Sequence, residues 1–206
     1  MPSTQNLPQN YRLAGKLDIK HDRKLILRLN AAGLGLTIGS VFFFGWVTSL
    51  LRADQSILQF SIQGFADIIK LLGSVVLASV TVILFHEAIH GAFFWLFTGS
   101  RPVFAFKGTY AYAAAPGWYL TRGAYMLIGI APLVLISILG MITLRVAPAP
   151  NVTLIILSLV INTSGSVGDL AAVLWLARQP ASCLAHDQGD VIEIYLPDEI
   201  RSLELN

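Results

Sequence analysis

Two histidines and a glutamate stand within five residues of one another, as His86-Glu87-Ala88-Ile89-His90. On a helix, positions i and i+4 lie one turn apart on the same face, so both imidazoles can turn toward one metal ion. Glu87 falls beside them, where it can reach a metal-bound water rather than the metal itself. The chemistry this spacing suits is hydrolysis at zinc, with Glu87 as general base. The same spacing arises by chance on solvated helix faces, but here it lies in an apolar run over residues 71–97. Ionisable groups at hydrocarbon depth are costly, and a bound metal is a compensating reason for them. Polar residues in such a run can also join helices by hydrogen bonds. That use requires neither this spacing nor the glutamate.

The surrounding composition is that of an integral membrane protein. Of 206 residues, 55% are hydrophobic and 13% charged, where a soluble domain carries about 25% charge. Mean hydropathy is +0.67. Residues 1–24 are polar and charged, which is not the form of a cleavable signal peptide. Cys183 is the single cysteine, so neither an internal disulfide nor a cysteine metal cluster is expected. The net charge is +2, and the basic residues are scattered over membrane-proximal segments, so no nucleic-acid partner is expected.

Four spans are expected at about 20 apolar residues per crossing. They cover residues 31–51, 71–97, 124–144 and 152–177. The expected fold is therefore an all-α membrane protein of four transmembrane helices. A cytoplasmic segment 1–30 precedes the membrane domain 31–177, and a cytoplasmic tail 178–206 follows it. Arg12, Lys16, Lys20, Arg23, Lys24 and Arg28 precede the first span, and Arg101, Lys107 and Arg122 follow the second. The other two loops are poorer in basic residues, which predicts a multi-pass protein of the cell membrane with both termini cytoplasmic.

Two stretches outside the spans carry strand signals. Residues 101–119 are rich in aromatic and β-favouring residues around a central Gly108, suiting either a short interfacial hairpin or an aromatic belt. A strand edge there could pair with an extended substrate. In the tail, residues 190–197 alternate like a strand and 198–204 suit a short helix. With so few apolar residues the tail is not expected to fold alone; it should pack under the membrane domain or stay partly disordered.

A catalytic zinc takes three protein ligands and a water, so a third ligand is expected at matching depth. Asp169 is the one acidic residue inside another span. It lies about 13 Å along a helix from the span's end at Arg178, and His90 lies about 15 Å from Ser100. Both ends face the cytoplasm in this topology, so the two side chains come out level. A different use for Asp169 is an intramembrane carboxylate paired with Arg122 or another base, or protonated. His21, His186, Asp187 and Glu193 would have to fold back from outside the spans. Near Asp169, Gly165 and Gly168 weaken a helix and open its backbone. Such breaks are tolerated at membrane depth where they line a cavity or are buried in protein. Close helix packing accounts equally well for these small residues. Asn162, two turns earlier, is a candidate substrate-binding residue that could donate to a carbonyl or an oxyanion.

His86-Glu-Ala-Ile-His-Gly91 together with Asn162 and Asp169 on a later span resembles the site-2 group of intramembrane zinc proteases. More closely, the chain resembles a family of small four-span bacterial membrane proteins described as zincin peptidases. The resemblance covers about residues 71–197 and rests on the His-Glu motif and residues 107–116, 164–169 and 190–195. It implies zinc held by His86, His90 and Asp169, with Glu87 as base. Gly168 and Leu170 flank Asp169, where the site-2 group carries Leu-Asp-Gly with preceding prolines. The substrate expected is a membrane-spanning or membrane-associated peptide, or another amide within the lipid bilayer. A non-catalytic metal-binding membrane protein would need the two histidines and Asp169 but not Glu87. Oligomeric state has no signature in the sequence.

Overall fold

The computed structural model describes residues 3–18, 21–52, 62–106, 108, 111–189 and 191–198. The expected short helix at 198–204 falls almost wholly outside them. The elements run β1 (Tyr11–Asp18), α1 (Arg23–Leu51), α2 (Phe65–Thr98), β2 (Val103–Phe106), β3 (Ala111–Ala114), β4 (Tyr119–Thr121), α3 (Arg122–Val146), α4 (Ala149–Gly165), α5 (Val167–Ala177), β5 (Leu184–Asp187) and β6 (Val191–Pro197).

The helices follow the apolar runs, but their ends are set by local hydrogen bonding. The first helix begins at Arg23 rather than near residue 31. The Asp22 carboxylate accepts from the N–H groups of Lys24 and Leu25 at 2.9 and 3.1 Å, which is N-capping. Gly99, at φ 68°, ends α2, its N–H donating to the Trp95 carbonyl. The Thr121 hydroxyl accepts from Ala124 at the start of α3. At the end of α3, the Arg52 guanidinium donates to the Leu144 and Ala147 carbonyls at 2.8 and 2.7 Å. It thereby satisfies acceptors the helix leaves over.

Among the described residues three helices, α1, α2 and α3, are long and apolar enough to cross a membrane; α4 and α5, a pair broken at Ser166, would make a fourth span together. Large apolar side chains on them face outward, among them Phe42 at 73% and Leu77 at 67% exposure. Apolar surface on that scale suits a membrane location. The interruption around Gly165 and Gly168 falls where the glycines suggest. Ser166 closes α4, its N–H and hydroxyl both donating to the Asn162 carbonyl at 3.0 and 2.8 Å.

Among the described residues the helices are accompanied by six strands in two antiparallel sheets, more strand than the all-α reading with one hairpin-like segment allowed for. β2 and β3 form a two-stranded hairpin, with Val103 opposite Ala114 and Phe106 opposite Ala111. The hairpin reading of residues 101–119 thus describes 103–114, while Tyr119–Thr121 joins a second sheet of order β1-β6-β5-β4. In that sheet the N-terminal segment and the tail, treated separately in the sequence, pair directly, Tyr11 opposite Pro197 and Asp18 opposite Val191. The alternation at 190–197 gives β6, which buries Ile192, Ile194 and Leu196. The tail lacks apolar area to fold alone, and β1 and β4 supply the missing strands.

The chain divides into two compact units. The first comprises Met1–Leu29, Glu87–Ala131 and Gly168–Asn206. Its core gathers Phe94, Leu120, Tyr125, Ile128, Leu176, Ile194 and Leu196. The second comprises Asn30–His86 and Pro132–Val167. Its core gathers Phe44, Leu144, Val152, Ile156 and Leu159. Within it Gly140 lets α3 approach α4 closely: a Cβ there would stand 2.8 Å from the Leu159 Cγ, and Leu159 is 1% exposed.

Candidate metal centre

The motif lies in α2, one unbroken helix from Phe65 to Thr98. The relative placement of His86 and His90 is therefore that of two residues one turn apart on a continuous helix. Both are nearly buried, at 9% and 8% exposure, and Glu87 is half-buried beside them. Gly91 follows directly, where a side chain would meet the Phe104 ring of β2, its Cε1 at 2.8 Å.

Asp169 comes from the first turn of α5, just after the break at Ser166. A carboxylate in a helix's first turn is favoured by the positive end of the helix dipole. Its Oδ1 lies 3.4 Å from His90 Nε2. The ligand atoms offered by His86, His90 and Asp169 all fall within 4.8 Å of one another. The structure thus brings together the three residues selected as ligands.

The other ring nitrogens decide what this cluster can hold. His90 Nδ1 lies 3.0 Å from the Ile128 carbonyl oxygen. A carbonyl only accepts, so the proton of that bond is on Nδ1. Its Nε2, the nitrogen facing the Asp169 oxygen, is then the one left to bind a metal ion. His86 Nδ1 lies 3.0 Å from the Asn162 side-chain oxygen, which orients that ring in the same sense. Metal-ligating histidines characteristically donate their second ring N–H to a carbonyl or carboxylate, fixing the tautomer. Two imidazole nitrogens, each held this way, and one carboxylate fit the three-ligand catalytic zinc set.

Asn162, the candidate substrate-binding residue, lies beside His86. It is 1% exposed, its oxygen accepts from His86, and its nitrogen donates to the Pro132 carbonyl at 3.4 Å. Both polar ends of its side chain are engaged within the protein. Burial of that completeness suits a residue that aims His86, because a buried amide is retained where its bonds are made. Ile128, which meets His90 through its backbone carbonyl, has no signature in its residue type.

The remaining polar residues considered as ligands are not part of this group of three. His186 Nδ1 donates to the Trp118 carbonyl, and its ring stacks on Tyr119 with centroids 4.8 Å apart. Glu193 pairs with Lys16 at 2.7 Å and accepts from Tyr195. His21 pairs locally with Asp18 at 2.9 Å. Asp187 is buried and accepts from the Tyr125 hydroxyl and the Gly189 N–H, both at 2.7 Å. Burial pushes the Asp187 carboxyl above the usual range, and these two hydrogen bonds pull it part of the way back.

Comparison with known proteins adds one finding. A family described as "Putative zincin peptidase" matches residues 79–184, just over half of the chain, spanning the His-Glu motif and Asp169. No curated protein and no solved structure matches. The matched region carries the helix with His86 and His90, the hairpin and Asp169, and on that coverage the chain belongs to this zincin peptidase family.

Proposed function

We propose that the protein is a membrane-embedded zinc metallopeptidase acting on membrane-spanning or membrane-associated peptides. His86, His90 and Asp169 would hold the metal. The observation that carries this reading is the three-ligand cluster with each histidine aimed through Nδ1, in a chain of the zincin family.

Zinc bound there supplies Lewis acidity, polarising a carbonyl and lowering the pKa of a water to about 7. Glu87 takes one proton from the attacking water as its oxygen adds to the scissile carbonyl carbon. It returns that proton to the amide nitrogen as the C–N bond breaks, leaving a free amine and a carboxylic acid. Asn162 keeps His86 oriented throughout, and Ile128 does the same for His90. Near-burial of both histidines keeps bulk water from competing for their hydrogen bonds.

Metal analysis of the purified protein tests this reading: about one zinc per chain is expected. A His86→Ala, His90→Ala double variant is expected to hold none, and full occupancy in that variant would exclude the site.

In the orientation we propose, both termini are cytoplasmic, from the basic residues of the N-terminal segment. A reporter fused after Asn206 that is active only outside the cytoplasm is then expected to stay silent. A strong signal would reverse the orientation.

A further inference from the structure

Pro132 lies inside α3, fully buried. A proline in a helix interior is strongly unfavourable relative to alanine. It has no N–H, so the carbonyl four residues earlier loses its helical partner. That carbonyl belongs to Ile128, and it accepts from His90 Nδ1 at 3.0 Å. Prolines in spanning helices are tolerated where a neighbouring group satisfies the released acceptor. Here the neighbouring group is an imidazole of the metal cluster. The Pro132 carbonyl itself accepts from Asn162, whose oxygen holds His86. One turn of α3 therefore bears on both histidines.

We propose that Pro132 is a positioning residue of the metal centre: by withholding an N–H from α3 it reserves the Ile128 carbonyl for His90. The proposal rests on the metal-centre reading above and adds the origin of the His90 tautomer. With an N–H at position 132, the Ile128 carbonyl would close the helical hydrogen bond instead. His90 would lose its acceptor, its proton would distribute over both ring nitrogens, and part of the population would present N–H rather than a lone pair toward Asp169.

The test uses the full-length protein in detergent. Pro132→Ala is expected to raise the zinc dissociation constant about 10–100-fold, as loss of an outer hydrogen-bond partner of a ligand does. The metal-free thermal midpoint should not fall, because alanine favours the helix. In the metal-free parent, the ¹⁵N shifts of His90 should report a proton on Nδ1; in Pro132→Ala they should report mixed tautomers. Placing the α-hydroxy analogue of alanine at position 132 gives an ester without an N–H. This variant should recover the parent's affinity and tautomer, which packing of the proline ring would not explain.

Parent affinity and an unchanged tautomer in Pro132→Ala would overturn the proposal. So would equal losses in the alanine and ester variants, which would assign the effect to the ring. A parent that binds no zinc while His90 keeps its Nδ1 proton only with Pro132 or the ester would refute the metal-centre reading and leave the hold on His90 standing.

Discussion

Glu87→Gln is expected to leave zinc content unchanged and to lower peptide hydrolysis by about 10²–10⁴-fold, the contribution typical of a positioned general base. Glutamine keeps the shape and length of the side chain and loses the ability to accept a proton. Glu87 is offset from the face shared by His86 and His90 on α2 and is not a member of the three-ligand cluster. Zinc measured by elemental analysis should therefore stay at the parent's level while turnover of a transmembrane peptide collapses. Loss of the metal would make Glu87 a ligand. Retained turnover would remove it as base and favour a metal-binding protein without this chemistry.

Asp169→Asn is expected to weaken zinc binding by more than 100-fold, equivalent to about 2.7 kcal/mol. It removes the carboxylate charge of the three-residue group and leaves a neutral amide facing His90 Nε2 across 3.4 Å. Competition against a chromophoric chelator measures the change, and hydrolysis should disappear with the metal. Asn162→Ala should be milder, about 10–100-fold in zinc affinity, because it deletes the acceptor for His86 rather than a ligand. If Asn162→Ala instead leaves zinc affinity untouched and raises only KM, the amide serves the substrate and not His86. If Asp169→Asn binds zinc like the parent, the carboxylate is a structural partner of His90 and the third ligand lies elsewhere.

The sequence by itself determined what depends on neighbours along the chain. The His-x-x-x-His spacing places two imidazoles on one helix face whatever surrounds it. The apolar runs located the helices, alternation located β6, and the turn around Gly108 located the β2–β3 hairpin. The glycines at 165 and 168 marked the interruption that starts α5 next to Asp169. Helix ends were less legible, because α1 begins where Asp22 caps it and not where the apolar run begins.

Tertiary structure decided everything that rests on a partner distant in sequence. β1 pairs with β6 across most of the chain length, and its alternation is blurred by an irregularity between Leu13 and Gly15. No local pattern announces such a pairing, so the all-α expectation missed a four-stranded sheet. The choice of hydrogen-bond partner was equally hidden. Asn162 could face a substrate or a histidine, and only the approach of α4 to α2 selected His86. Ile128 reads as an ordinary apolar residue because its contribution is a backbone carbonyl, which every residue carries. What distinguishes that carbonyl is the missing N–H of Pro132 together with the arrival of His90 beside it. The first half of that pairing is written in the sequence, and only folding supplies the second.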